Sequence, residues 1–458
     1  MSSTLVIIVE TSMINMKRII IPATLLLLLS SALKAQETYN LKRCLEIGLE
    51  QNYSIRISNN NKQKADNNYT IGNAGYLPSI DATGRIAGVV NNTESEAQTT
   101  GVVTKNNGIH YETYSASTAL SWNLFNGFTV HSSYKKLGEL KQLGELNARL
   151  TIEDIIAKIA AQYYNLVQQK IRLQNLEYGL SISKEHVRIV QERYILGSAS
   201  KLEVQQAQVN YNSDSSRYIA QTETLYSTGI ALNELMALNN ISTSLEIEDR
   251  EIQTNPNLNA GELETQMLSA NANLLIAARN YAISALDLKL VKARAYPYLR
   301  LGAGYGYSRT AYGSSGYTNK YSQTIGLDYG LTLGINIFNG LNQRREVKNT
   351  KLDVVNKELE QQSLEQSLIA DLATIYNIYQ NKLTLQKMEE ENLVTAKEYL
   401  DIAMERYKLG NLSGIELREA QKSLLDAEEN LLSVSYQAKL AEISLLQISG
   451  RAPEYIGL

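Results

Sequence analysis

Glu416 and Glu419 stand three residues apart at the start of what reads as a helix, so both carboxylates lie on one helical face. Glu416 has a local explanation, because Ser413-x-x-Glu416 spells a capping box and an acid suits a helix N-terminus; Glu419 is not needed for that cap. Four more charges, Asp81, Arg85, Arg300 and Asp328, fall on the polar side of alternating segments, where pairing across neighbouring strands is the expected use. Groups placed this way shape electric fields. Group transfer finds no footing: His110, His131 and His186 lie far apart without metal-ligand spacing, and no nucleophile accompanies a base. Gly302, Gly304 and Gly306 lie inside an alternating strand and lack the Lys and helix of a phosphate loop. Neither catalysis nor a cofactor or metal is expected.

The elements that position these acids occur twice. Arg193-Tyr194-Ile195-Leu196-Gly197 through Ser200 and Glu203 to Ala207-Gln208 recurs as Arg406-Tyr407-Lys408-Leu409-Gly410 through Ser413 and Glu416 to Ala420-Gln421, at a constant offset of 213 residues. An offset that long predicts a duplicated half-protein rather than a short solenoid repeat. Each copy reads as the tip of a helical hairpin, with Gly ending the incoming helix and Ser-x-x-Glu opening the outgoing one.

The net charge of -3 offers no basic patch for nucleic acid, and the single Cys44 excludes an internal disulfide; it is expected on the apolar face of the first helix. Residues 1–35 read as a signal peptide, with Met16-Lys17-Arg18 as its basic start, an apolar run to Leu29 and cleavage after Ala35. The true start is then Met16. The mature chain divides into a first repeat, 36–238, a polar linker, 239–260, and a second repeat, 261–458.

Within each repeat the hydrophobic period changes. Leu41 to Gly75 is helical in pattern and stops at Pro78; about Gly261 to Ala295 matches it and stops at Pro297. Period-two strands follow at about 79–91 and 115–126, and at about 298–310 and 323–338, joined by polar stretches that read as exposed loops. Asn123-Leu124-Phe125-Asn126-Gly127 and Asn336-Ile337-Phe338-Asn339-Gly340 end the second strand of each pair and read as strand-to-helix corners. Helical patterns from about His131 to Leu196 and Asn342 to Leu409 contain no proline and predict rods of roughly 100 Å. Shorter helices return from Ser200 to about Leu238 and from Ser413 to about Ile448.

Strands with one apolar and one Gly-rich or charged face carry the signature of a membrane barrel. Four strands per chain are too few to close one, and open edges cannot face lipid, so the chain is expected to oligomerise; three copies would supply twelve strands. The expected fold is therefore a mixed α and β membrane protein, a trimeric 12-stranded β-barrel continued by a long α-helical barrel.

The signal peptide, the paired corners and the paired Tyr-x-x-Gly-x-x-Ser-x-x-Glu tips together resemble the TolC family of outer membrane efflux proteins, over essentially the whole mature chain. The resemblance implies a homotrimeric outer membrane channel with a large periplasmic part, in contact with outer membrane lipid. Its implied partners are a membrane fusion (adaptor) protein and an inner membrane pump of the RND or ABC type. It would export small molecules or proteins. Family members often carry Asp where this chain has Glu203, Glu416 and Glu419. By that similarity these acids form a cation-preferring, normally closed periplasmic gate, with Arg406 and Tyr407 holding neighbouring tips together. Leu196, Gly197, Ser200, Leu409, Gly410 and Ser413 would meet the adaptor, and Asp81, Arg85, Arg300 and Asp328 would line the barrel lumen. A periplasmic coiled-coil adaptor or structural scaffold would share the leader and long helices, but would not need two pairs of amphipathic strands.

Overall fold

In a computed structural model the residues described are 38–313 and 318–456; the leader expected at 1–35 lies outside them. Two segments of matching length dominate: helix α4, Thr129–Ile195, and helix α8, Asn342–Lys408, each of 67 residues. At 1.5 Å per residue each is about 100 Å long. Helices α5, Lys201–Leu235, and α9, Gly414–Ile448, return along them for 35 residues each.

Shorter helices complete the return. The first helical segment is not one helix, as its pattern suggests, but three: α1, Leu41–Gln51, α2, Tyr53–Asn68, and α3, Ile71–Ala74. The second is α6, Ala260–Ala270, and α7, Ala272–Ala293. Thr70 Oγ1, accepting from Asn73 N at 3.1 Å, starts α3, whereas one asparagine makes each of the two matching breaks, before α2 and before α7. Asn52 Oδ1 accepts from Ser54 N at 2.8 Å to start α2, while its Nδ2 donates to the Leu235 carbonyl at 2.8 Å, at the end of α5. Asn271 does the same with Asn273 N at 2.9 Å and the Ile448 carbonyl at 2.8 Å, at the end of α9. A residue that caps one helix and satisfies the orphan carbonyl of another thus abuts two helices end to end.

Strands β2, Ser79–Glu96, β3, Val103–Asn126, β5, Tyr298–Tyr312, and β6, Tyr321–Gly334, form one antiparallel sheet in the order β2-β3-β5-β6. The first pair exceeds its expected ends at 91 and 115, because the ladder resumes past a register shift at Asn91/Thr93, through polar residues whose alternation is not hydrophobic. Asn92 Oδ1 accepts from Gly108 N at 2.7 Å there, and Lys105 pairs with Glu94 at 3.0 Å. The last strand instead stops at Gly334, short of 338, since Ile335–Phe338 have no pairing partner among the described residues although their apolar alternation continues.

The linker is more than an exposed loop. Strand β4, Glu246–Ile247, pairs in parallel with β1, Thr38–Tyr39, and Ile247, Ile252 and Leu258 are buried. Buried Glu442 on α9 fastens this region: its carboxylate accepts from Lys439 Nζ at 2.7 Å, from Asn255 N at 2.8 Å and from the hydroxyl of Tyr455 at 3.1 Å. Cys44 is fully buried on α1, and that burial pushes its thiol up to about 12. It packs in an apolar cluster with Leu45, Ile159, Tyr163, Leu232 and Met236, and Leu263, Met267, Leu372, Tyr379 and Leu445 form the corresponding cluster of the second half.

Candidate functional site

Both tips close by the same local rules. Gly197 and Gly410 adopt φ of +76° and +78°, the left-handed C′ position of a Schellman turn. Ser198 N donates to the Arg193 carbonyl at 2.8 Å, and Asn411 N to that of Arg406 at 2.9 Å. Ser200 Oγ accepts from Glu203 N at 3.3 Å while Glu203 Oε1 accepts from Ser200 N at 3.0 Å; Ser413 and Glu416 repeat the box at 3.3 and 2.9 Å. The backbone N–H and hydroxyl of each Ser hold the Glu203 and Glu416 carboxyls below the usual range, aided by Arg193 and Arg406 respectively. Leu196 and Leu409 stand exposed at the apices.

The surroundings differ. Tyr194 on the first tip is exposed, whereas Tyr407, its counterpart, is only 2% exposed. Its hydroxyl lies 3.0 Å from His186 Nε2 on α4, the rings cross edge to face at 4.9 Å, and the Arg193 guanidinium sits 5.5 Å from the Tyr407 ring centre. Tyr407, expected to hold neighbouring tips together, is turned inward and ties the second hairpin to the first within one chain. Arg406 remains exposed. Burial, then the nearby Arg418 charge, pushes the His186 imidazole below its usual value. A cleft of about 190 Å³ opens beside this contact, lined among others by Arg193, Glu203, Gln206 and Gly414.

One turn deeper a charged contact joins the hairpins. Arg418 on α9 donates to both oxygens of Asp214 on α5, at 2.5 and 2.8 Å, and Ser183 Oγ donates to the same carboxylate at 2.5 Å. Gln421 Nε2 donates to the Gly179 carbonyl at 2.7 Å and to Ser183 Oγ at 2.8 Å. Burial alone would raise the Asp214 carboxyl, but the bonds from Arg418 and Ser183 outweigh it and hold it below the usual range. His186, Asp214 and Arg418 escaped the sequence reading because they are brought together across more than 200 residues. The available signal was the helical spacing of Ile182, His186, Ile189 and Val190, which puts the histidine on a buried face.

Glu416 and Glu419 are both exposed at the start of α9, while Leu417 and Ala420 are buried. The first tip lacks this pair, since Gln206 occupies the place of Glu419.

At the opposite end, sheet register sets four charges on one face. Asp81, Ala119, Gly304 and Asp328 form a row across all four strands, and Arg85 and Arg300 lie on the same side. The expected pairing among these charges is replaced by other contacts: among the described residues no ion pair joins them. Arg300 Nε donates to Asn123 Oδ1 at 3.1 Å, and Asp328 packs over Gly304. The other face carries Ile80, Ile86, Leu120, Leu301, Ile325, Leu327, Tyr329, Leu331 and Leu333. Leu333 is 74% exposed and Ile80 71%. Helices do not provide this layer, for none among the described residues is long and apolar enough to cross a membrane.

Comparison with known proteins agrees with this architecture. The family described as outer membrane efflux protein matches residues 45–238 and 249–451. Outer membrane protein TolC of Vibrio cholerae serotype O1 is 19% identical over 326 residues, covering 66% of this chain and 69% of that protein. A TolC from Salmonella enteritidis is 22% identical over 57% of this chain and 54% of its own length. Among solved structures, the Campylobacter jejuni CmeC outer membrane channel superposes with a TM-score of 0.73 at 17% identity, covering 92% of this chain and 91% of that one. The outer membrane protein VceC of Vibrio cholerae gives 0.69 at 17% identity, over 90% and 96%.

Proposed function

This chain belongs to the outer membrane efflux protein family, and on that premise we propose that it works as a homotrimeric channel-tunnel exporting small molecules or proteins to the outside. Its setting would be a tripartite system, with a membrane fusion (adaptor) protein and an inner membrane pump of the RND or ABC type. The observation that carries the reading is the four-stranded sheet with an exposed apolar face and both edges, β2 and β6, unpaired among the described residues. In lipid every backbone donor and acceptor needs a partner, so two open edges are untenable. Pairing β6 of one copy with β2 of the next closes a ring, and three copies give twelve strands around an aqueous lumen.

The paired rods then continue the lumen on the periplasmic side. Glu416 and Glu419, repeated by threefold symmetry at a narrow mouth, concentrate negative potential, so the entrance prefers cations. Glu203, Arg406 and Tyr407 belong to the same gate, with Tyr407 acting inside its own chain. The exposed edges around Leu196, Gly197, Ser200, Leu409, Gly410 and Ser413 are the surface offered to the adaptor. Asp81, Arg85, Arg300 and Asp328 face the barrel lumen. The adaptor or scaffold alternative gives no use for the sheet.

Edge pairing is the testable core. With Ala82→Cys on β2 combined in turn with single cysteine substitutions along residues 322–334 of β6, oxidation in membranes is expected to give covalent dimers and trimers at one register. Monomers at every register would overturn the trimeric barrel.

A further inference from the structure

Two of the charges on the polar face of the sheet stand on its edge strands. Arg85 is the one cation of β2 and Asp328 the one charged residue of β6, and both are exposed. Among the described residues neither makes an ion pair or a side-chain hydrogen bond, whereas Arg300, on the inner strand β5, donates to Asn123. Opposite charges, each alone on an edge that needs a partner strand, complement one another between copies of the chain.

The register within the chain limits how those edges can meet. A ladder row from Ser79, the first residue of β2, passes Ser121 and Gly302 to reach Gly330 on β6, and β6 continues four residues lower, to Gly334 (334 − 330 = 4). Rows therefore climb from β2 to β6 relative to the lower end of the sheet, and the row through Asp81 and Asp328 meets β2 of the next copy above Asp81. A seam with flush lower ends sets Gly334 opposite Ser79 of the next copy, a step of four residues per chain; Pro78 has no N–H to carry the ladder farther. At about 3.3 Å per residue and about 4.8 Å per strand, four residues over four strands tilt the strands by about 35°, as membrane barrels require.

The same step places Asp328 opposite Arg85 (334 + 79 = 328 + 85). Steps of two or six would place Thr83 or Ala87 there, and no step at all would set Asp81 against Asp328, two like charges. On the outer face a step of four joins Ile80 with Leu333 and Ile86 with Leu327. It also lays Tyr329, 81% exposed, over Gly84, where an added Cβ would meet nothing within 4 Å.

We propose that Arg85 of one copy and Asp328 of the next form an ion pair on the lumen face of each β2–β6 seam, and that this pair fixes the register at which the barrel closes. It rests on the trimeric barrel proposed above. Within one chain the Asp328 carboxylate leans over Gly304, so the long Arg85 side chain reaches across Asp328 to meet it, a span that cross-strand neighbours allow. Paired, the two cancel each other in the lumen and leave Asp81 and Arg300 to shape its field.

The test is a charge swap in the full-length protein, read as the ratio of trimer to monomer in unheated gels of detergent-extracted membranes. Arg85→Asp and Asp328→Arg alone should each lower that ratio about tenfold, because a factor of about two per seam compounds over three seams. The double variant, Arg85→Asp with Asp328→Arg, should return to within about threefold of the unaltered protein. Single variants without effect, or a double variant no better than the singles, overturn the pair. Independently, in the cysteine scan against Ala82→Cys with native charges, Leu331→Cys is the position expected to cross-link. Cross-linking at another single position overturns the pair and leaves the barrel standing; no cross-link at any position overturns both.

Discussion

The two helical tips share a backbone and differ in what surrounds it. Each has the glycine at φ near +77°, the Schellman pair and the reciprocal Ser/Glu box. Yet Tyr194 of the first tip is exposed, while Tyr407 of the second is buried against His186; Gln206 stands where the second tip has Glu419; and Ala427 stands where the first hairpin has Asp214. Turn chemistry is thus common property of both tips. The side chains that tie one hairpin to the other, and Glu419 among the acids expected at the gate, are not duplicated. The fastening of the second arm to the first is what distinguishes two arms otherwise built alike.

The strongest way to break this contrast is Asp214→Asn. It leaves the half-buried Arg418 guanidinium without its counter-charge and should destabilise the joined hairpins by about 3 kcal/mol. Ala427→Asp, at the counterpart position, should not create an equivalent tie. A loss below about 0.5 kcal/mol for Asp214→Asn in denaturant unfolding of the protein would show that the hairpins are held by apolar packing alone.

Next in size is Tyr407→Phe, which removes the His186 bond and should cost about 1 kcal/mol, against no measurable change for Tyr194→Phe. The same contact carries a pH dependence. Burial and Arg418 depress the folded-state pKa of His186, while the unfolded chain binds a proton at the ordinary 6.5. Stability from the neutral ring is therefore fully present above 6.5 and is lost as pH falls below it through the folded value. His186→Gln should flatten the fall in thermal midpoint between pH 7.5 and 5.5. An unchanged slope would mean that other groups set it.

The smallest expected effect sharpens the shared part. Ser200→Ala and Ser413→Ala each remove one capping box and should cost about 1 kcal/mol, equally at both tips. Unequal costs in local hydrogen exchange would mean that the caps are not equivalent.

The same division explains what could be read from the chain alone. The tips were legible because Gly and Ser-x-x-Glu act within six residues, and the rods because their period runs without proline. Asn52 and Asn271 were not legible as breaks, since the bonds that make them breaks reach Leu235 and Ile448, some 180 residues away. The far end of the β2–β3 hairpin was hidden by its polar ladder, and the end of β6 was overrun because Ile335 and Ile337 keep alternating after pairing has ceased. Contacts between hairpins, such as His186 with Tyr407, leave no local trace.

The most direct test of the account is the current carried by single channels in a planar bilayer, before and after replacing Glu416 and Glu419 together with Gln. The unaltered protein is expected to form mostly closed, cation-preferring pores blocked by multivalent cations from the periplasmic side. The double variant should lose most of that preference and block, while Glu203→Gln on the first tip changes them little. Pores whose cation preference and block are untouched by the double substitution, or a protein that forms no pores, would contradict it.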